Sequence, residues 1–277
     1  MIGILFAGCL WDASRHGKFD VLELLWTGFY GFLLEWLTIK QLGAYHYGPF
    51  LIVIDGAPLS VALGWAVIIY SSMRFSSQFQ LPESARPILD ALMALNIDLA
   101  MDAIAIRLGM WVWNGVGFDQ QWFGVPWANF WAWFIVVWSF SGFIRALRPW
   151  RRYRWRKWLY APLAVALSLF VLTIVSEMYR VMSSSIGSEA FASLLLIVGS
   201  LIIVLNLRPH VLQAGLPEPI VMVVPIALHI FAVVIGFRLG MFNKQPLLGI
   251  IGVGMLAVGI IVHLLPWWIR RSRVSML

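Results

Sequence analysis

Charged residues are scarce in this sequence. They make up 12% of its 277 residues, while 61% are hydrophobic and the mean hydropathy is +0.84. A soluble domain carries about 25% charged residues. The composition therefore excludes an ordinary soluble enzyme and indicates a chain that spends most of its length in lipid.

Cysteine is almost absent as well. Cys9 is alone, which excludes an internal disulfide framework and a cysteine-rich zinc or iron–sulfur site. The sequence also lacks the Glu-x-x-His spacing with which helices bind a di-iron centre, and it has no glycine-rich phosphate loop between a strand and a helix. We therefore expect chemistry that needs neither a metal nor a cofactor.

Eight apolar stretches are long enough to cross a bilayer, which takes about 20 residues in a helix. They predict an all-α, polytopic integral-membrane bundle of about eight transmembrane helices, forming one domain over residues 1–277. Residues 1–145 hold most of the notable polar groups, and residues 146–277 add four further helices. The predicted spans are 21–39, 49–71, 88–112, 123–144, 158–180, 190–207, 219–240 and 247–269.

Basic residues are distributed unevenly between the loops. If the N-terminus is cytoplasmic, fifteen of the twenty Lys and Arg residues fall on the cytoplasmic side, so both termini are predicted to be cytoplasmic. Seven of them lie between Arg145 and Lys157, interleaved with aromatic residues. In isolation this run is typical of RNA binding, but between two spans we expect it to bind anionic lipid headgroups and no nucleic acid.

Four acidic residues lie in the outer halves of the first three predicted spans: Glu35, Asp55, Asp98 and Asp102. Ionisable groups are costly in the bilayer and usually mark function. Asp98 and Asp102 are four residues apart, so a helix places them on one face, where two carboxyl groups in a poor solvent should share a proton. The structural alternative is that Arg107 neutralises Asp102 and that Glu35 bonds to a neighbouring helix.

Aromatic residues surround these acids in the sequence. Tyr45, His46 and Tyr47 lie in the loop after the first span, above the same predicted cavity. The other candidates are Trp111, Trp113, Trp122, Asn129 and Trp133. The tryptophan rings are typical of an interfacial belt, and they are also suited to wall a slot for a flat apolar ligand and to face a developing cation. His229 and His263 are predicted to be hydrogen-bonded between helices rather than to bind a metal.

Several short blocks follow one another over about residues 30–145. They are Glu35-Trp36-Leu37, Gly43-x-Tyr45-His46-Tyr47, Pro58 with Gly64-Trp65, Asp98-Leu-Ala-Met-Asp102 with Trp111-x-Trp113, and Trp122-Phe-Gly-Val-Pro-x-x-Asn129-Phe-x-Ala-Trp133. Their order and spacing resemble those of the membrane proteins of carotenoid biosynthesis, which include bacterioruberin-type carotenoid hydratases. Departures from the family include Ala103 where it has Pro, Asp55 where it has an apolar residue, and a weak match after Arg145.

This resemblance implies an enzyme of a prokaryotic cytoplasmic membrane that adds water across the terminal double bond of an acyclic carotenoid end group. Such a reaction needs an acid, a shelter for a tertiary cation and a positioned water. The implied proton donor is Asp98 or Asp102, with Glu35, Tyr45 and Tyr47 positioning water or relaying protons. The implied substrate contacts are His46, Asp55, Trp111, Trp113, Trp122, Asn129 and Trp133.

Two alternatives remain open at this point. A carotenoid cyclase would form the same cation but trap it with a neighbouring double bond. A carotenoid-binding or structural subunit of a membrane complex, or a homo-oligomer, would keep the acids only as interhelical bonds. A transporter is less favoured, because the sequence shows neither inverted repeats nor paired broken helices.

Overall fold

A computed structural model describes residues 1–211 and 218–274, with side chains described as far as residue 269. Helices dominate this part of the chain, which confirms the all-α, polytopic prediction. The α-helices are α1 (Ile2–His16), α2 (Lys18–Leu37), α3 (Leu59–Ser76), α4 (Arg86–Arg107), α5 (Trp127–Leu147), α6 (Tyr160–Ile186), α7 (Glu189–Asn206), α8 (Pro219–Arg238), α9 (Met241–Lys244) and α10 (Pro246–Val274).

Six of the described helices are long and apolar enough to cross a membrane: α3, α5, α6, α7, α8 and α10. Helices α2 and α4 occupy two further predicted spans, but they carry four and five charged residues. The predicted number of eight spans and the orientation of the termini therefore stay predictions. Helix α1 lies before the first predicted span and packs against α2, α3 and α8.

Helix α4 lies at the centre of the bundle. It packs against α3, α5, α7, α8 and α10, and most of its residues are buried. Helices α6, α7 and α10 instead expose most of their apolar residues, as helices do when lipid surrounds them. The charged α4 is thus shielded from lipid by apolar neighbours, which is how a bundle accommodates ionisable groups.

The predicted second span is wrong over residues 49–58. This segment forms a hairpin of strands β2 (Val53–Ile54) and β3 (Ala57–Pro58). The turn between them has φ of 47° at Asp55 and 93° at Gly56, the left-handed conformation that Asp-Gly pairs favour in two-residue hairpin turns. Helix α3 begins only after Pro58.

A second two-stranded ribbon closes the same end of the bundle. Strand β1 (Tyr45–Tyr47) pairs antiparallel with β5 (Trp111–Trp113), so the predicted third span ends earlier, at Arg107. Gly48 makes the approach possible, because a Cβ there would lie 2.0 Å from the Gly109 carbonyl oxygen. We call this the ribbon end. The opposite end carries two short 3-10 helices, Arg148–Arg152 and Arg156–Trp158, and we call it the basic end.

A third short pair, β4 (Phe79–Gln80) with β6 (His210–Val211), joins the segment after α3 to the segment after α7. It lies at the basic end, because both of these helices finish there. The pair adds backbone hydrogen bonds between the two halves of the chain at this end.

Candidate active site

Asp98 and Asp102 lie side by side on α4, as their spacing predicts. Both are almost completely buried. Asn129, in the first turn of α5, donates both amide hydrogens to the pair, with Nδ2 3.1 Å from Asp98 Oδ2 and 2.7 Å from Asp102 Oδ2. The two carboxyl groups are also within hydrogen-bonding reach of each other. One amide therefore bridges two acids.

Glu35, near the end of α2, is the centre of a second buried cluster. Its Oε2 accepts hydrogen bonds from the hydroxyls of Tyr45 and Tyr47, the latter at 2.6 Å. Its Oε1 accepts one from Trp65 Nε1 at 2.6 Å. Three neutral donors thus hold this carboxylate. The ribbon supplies two of them, because Tyr45 and Tyr47 alternate onto its inner face with His46 between them on the outer face.

The two clusters adjoin. The ring of Trp65, on α3, packs at a tilt against that of Trp133, on α5, with ring centroids 4.3 Å apart. Trp133 lies one helical turn after Asn129, so this ring pair joins the Glu35 cluster to the segment of α5 that carries Asn129. Asp102 also interacts electrostatically with both Glu35 and Tyr45. The bond from Trp65 to Glu35 was not predicted from the sequence, although Gly64-Trp65 is one of the blocks on which the resemblance rests.

Aromatic rings line the ribbon side of these clusters. Trp113 packs edge-on against Tyr45 with centroids 4.8 Å apart, and Trp111 against Tyr47 at 6.1 Å. Trp122 bonds to the backbone of α4, its Nε1 donating to the Leu99 carbonyl at 2.8 Å. The structure thus brings Trp111, Trp113, Trp122 and Trp133 to the ribbon end with the acids.

Burial and the neighbouring charge of Glu35 raise the pKa of the Tyr45 and Tyr47 hydroxyls well above the ordinary value for tyrosine. Both phenols therefore stay protonated at any physiological pH. They act on Glu35 as hydrogen-bond donors rather than as charges, so neutral donors surround this carboxyl group among the described residues.

The structural alternative for Arg107 is wrong. Its guanidinium donates to the Ala103, Phe123 and Phe118 carbonyls and to Gln245, in each case within 3.1 Å. Within residues 1–211 and 218–269, no Lys or Arg forms an ion pair with Asp98, Asp102 or Glu35. The bond of Glu35 to a neighbouring helix does form, through Trp65.

Two predicted site residues lie apart from the clusters. Asp55 is in the exposed hairpin turn rather than in a span, where Lys40 Nζ and Trp36 Nε1 each donate to it at 2.7 Å. His46 is exposed on the outer face of the ribbon and contacts Asn114. Their assignment as substrate contacts stays a prediction that the fold does not favour.

Several buried acids went unnoticed in the sequence. Asp90 on α4 pairs with Arg145 at 3.1 Å. Glu23 on α2 pairs with Arg148 at 2.9 Å and with Arg151. Asp12 on α1 accepts from Tyr70 and lies 3.6 Å from Arg74. For Asp90 and Glu23 the signal was the arginine run itself, because cations at the end of a span favour buried acids of the adjacent helices.

An apolar groove of about 410 Å³ lies between α4, α5, α6 and α7. Trp131 and Trp138 on α5 line it, together with Met178 and Met182 on α6. These α5 residues lie on the side of the helix away from Asn129. None of the predicted site residues lines this groove, so the predicted aromatic slot and this cavity are different places.

The family model of carotenoid biosynthesis proteins matches residues 16–200, about two thirds of the chain. The protein belongs to this family. The match extends on both sides of the region that the resemblance covered, and it includes α6 and most of α7, which had seemed to match weakly. No curated protein and no solved structure matches the chain. This carotenoid biosynthesis protein thus has a family-wide role in making carotenoids, and its apolar helices are those of a membrane protein.

Proposed function

We propose that this carotenoid biosynthesis protein hydrates the terminal trisubstituted double bond of an acyclic carotenoid end group, giving a tertiary alcohol. The observation that carries the proposal is the buried pair Asp98 and Asp102, bridged by Asn129 and lacking any described cation. Two buried carboxyl groups without a counter-ion retain a proton between them, because ionising both would place two uncompensated charges in a low dielectric.

The position of that proton follows from the hydrogen bonds. Asn129 donates to Oδ2 of both aspartates, so these oxygens act as acceptors. Among the described residues, Oδ1 of Asp98 and of Asp102 has no donor. The shared proton therefore belongs on an Oδ1 atom, where no amide competes for it. This is the arrangement that a general acid requires.

The proposed reaction balances within the site. The carboxyl proton goes to the less substituted alkene carbon, and the π electron pair forms the new C–H bond. The tertiary cation that results is next to electron-rich rings and the Glu35 carboxylate, both of which stabilise positive charge. A water oxygen then bonds to the cation and gives one proton to the aspartate pair, which is thereby restored.

Glu35 and its tyrosines are proposed to hold the attacking water. Tyr45 connects the two clusters, since its hydroxyl donates to Glu35 and interacts electrostatically with Asp102. A water beside it would find a carboxylate acceptor and an aromatic wall within one small region. The water would then lie beside the cation, on the side of the site that Glu35 and the tyrosines form. The step requires no metal or cofactor.

Expression in a lycopene-producing host tests the proposal by the mass of the pigments. Wild-type protein should add the mass of one water per modified end group, and Asp98→Asn and Asp102→Asn should abolish the gain. Glu177→Gln is the control, because Glu177 is exposed on α6 and forms a local ion pair with Arg180. An unchanged profile across several acyclic carotenoids rejects hydration.

Cyclisation is the second candidate, since the same acid would generate the same cation. A product of unchanged mass but altered absorption favours the cyclase. Unmodified pigment that co-purifies in stoichiometric amount, or fixed partner subunits, favours a binding or structural role. Pigment mass and absorption distinguish hydration from cyclisation, and the composition of the purified protein identifies a binding or structural role.

We also propose that the basic end faces the cytoplasm of a prokaryotic cell and binds anionic lipid headgroups. Arg145, Arg148 and Arg151 neutralise buried acids, which leaves four cations of the run for lipid: Arg152, Arg154, Arg156 and Lys157. Arg156 lies over three aromatic rings. Replacing the four with Gln should remove a thermal stabilisation that phosphatidylglycerol gives and phosphatidylcholine does not.

A further inference from the structure

The hairpin of residues 51–58 carries four consecutive aliphatic side chains that the bundle does not cover. Leu51 is 99% exposed, Ile52 51%, Val53 46% and Ile54 48%. A run of this kind in water would be an aggregation hazard. The hairpin is nevertheless held firmly, because β2 and β3 pair and Leu59 N donates to the Ile52 carbonyl at 3.0 Å.

The hairpin lies at the level where α2 ends. Trp36 is in the last turn of α2, and Lys40 is in the π-helical turn Thr38–Leu42 that follows. Both donate to Asp55 in the hairpin. A Cβ on Gly56 would be 3.9 Å from Ile39. Tryptophan is enriched at the membrane–water boundary, and lysine near a helix end reaches that boundary with its long side chain, which favours the boundary as the level of the aliphatic run.

The charges beside the aliphatic run are neutralised locally. The Lys40–Asp55 ion pair at 2.7 Å leaves no net charge at the turn. Leu42, 72% exposed, extends the apolar surface toward α2. At a lipid interface, the apolar side chains of such a patch would contact acyl chains, and the ion pair at its edge would lie among the headgroups.

We propose that this hairpin is a lipid-contacting element, with Leu51, Ile52, Val53 and Ile54 immersed in the headgroup–acyl boundary at the ribbon end. The depth is shallow, because unpaired strand edges are not tolerated in the hydrocarbon core, whereas apolar faces at the interface bury to about 5–10 Å. The inference stands apart from the proposed reaction.

The hairpin is joined to the candidate site by one ring contact. Phe50, at its base, packs edge-on against Tyr47 with centroids 5.6 Å apart, and Tyr47 donates to Glu35. A lipid-contacting segment therefore adjoins the buried carboxylates. A long apolar substrate dissolved in the bilayer would meet this side of the protein without passing through water.

Single-cysteine labelling tests the proposal, since Cys9 is the only native cysteine and is buried. A nitrobenzofurazan label is placed at Leu51→Cys, with His46→Cys on the outer face of the ribbon as the water-facing control. Phe170→Cys on α6, 64% exposed, is the control for the hydrocarbon. Background labelling of Cys9 is measured on the wild-type protein. If Cys9 reacts, the label variants are made in a Cys9→Ala protein.

The labelled proteins in lipid nanodiscs are exposed to iodide and to lipids carrying a nitroxide near the headgroup or near the chain end. At Leu51→Cys we expect the shallow nitroxide to quench about twofold more than the deep one, with protection from iodide. At Phe170→Cys the deep nitroxide should be the strongest quencher, and at His46→Cys iodide should be the strongest quencher.

Two results overturn the proposal. Iodide quenching at Leu51→Cys equal to that at His46→Cys places the hairpin in water. Protection from iodide and from both nitroxides places it against protein, such as a second copy of the chain. Neither result bears on hydration, because pigment mass is measured separately on unlabelled protein.

Discussion

The acids at the two ends of the bundle have different partners. At the basic end, Asp90 and Glu23 are each matched by arginine. At the ribbon end, Asp98, Asp102 and Glu35 are held by an amide, two phenols and an indole, all neutral. Burial is similar at both ends. What differs is the counter-charge, and with it the ability to keep a transferable proton.

This difference separates a structural role from a chemical one. A buried carboxylate beside an arginine has its charge compensated and no reason to hold a proton. A pair of carboxyl groups with only neutral donors compensates its charge by keeping a proton instead. The ribbon end is therefore suited to acid catalysis, and the basic end to fixing the helices relative to one another.

The largest expected effect comes from Asp102→Asn and Asp98→Asn at the ribbon end. Each removes half of the proton-sharing pair but keeps the shape, so turnover should fall about 100- to 10,000-fold. Stability should change by less than about 1 kcal/mol. Pigment conversion in membranes and thermal unfolding in detergent measure the two quantities. Conversion that persists in both variants would contradict the assignment of the pair.

The opposite pattern is expected for Asp90→Asn at the basic end. It leaves Arg145 buried and unpaired, with a side chain only 5% exposed, and should cost about 3–5 kcal/mol of stability. Turnover per folded molecule should be unchanged. Denaturant unfolding of the purified protein is the measurement, and Asp90→Asn combined with Arg145→Gln should recover part of the loss. A stable single variant would erase the contrast between the ends.

Trp65→Phe should have an intermediate effect on turnover, measured as pigment conversion in membranes. It removes the indole donor to Glu35 but keeps an aromatic ring against Trp133. A hydrogen bond to a charged group contributes about 1.5–3 kcal/mol. Trp133→Phe is the matched control, because it keeps the ring contact and touches no described hydrogen bond to Glu35. Equal losses in the two variants would mean that packing, and not the bond to Glu35, explains the role of Trp65.

Much of the ribbon end is predictable from the sequence, for a simple reason. The four-residue spacing of Asp98 and Asp102 fixes their neighbourhood on a helix whatever surrounds it. Tyr45 and Tyr47 alternate, and alternation is what a strand needs to direct both toward Glu35. Local periodicity therefore carries these contacts, and the fold only brings the elements together.

Other contacts need the tertiary structure. The partner of Asp90 is 55 residues away in sequence, and no local pattern encodes it. Asp55 was misplaced for a different reason, since Asp55-Gly56 between aliphatic residues is a hairpin signal that the hydropathy of residues 49–71 obscured. An apolar run cannot by itself distinguish a helix from an interfacial hairpin.

The smallest expected effect concerns Asp55, which is an exposed acid at the ribbon end with a cation of its own. The hydrogen bond from Lys40, and then that from Trp36, lowers the pKa of the Asp55 carboxyl below its usual range. Because the pKa is lowered, the ion pair stabilises the hairpin at pH values above the ordinary pKa of aspartate, about 3.9. This stabilisation is lost as pH falls through the pKa of the folded state. In Asp55→Asn, iodide access to a label at Leu51→Cys should rise slightly at neutral pH and become independent of pH. Glu177→Gln should leave that access unchanged at every pH. If Asp55→Asn does the same, the ion pair does not hold the hairpin, and cations would then matter only at the basic end.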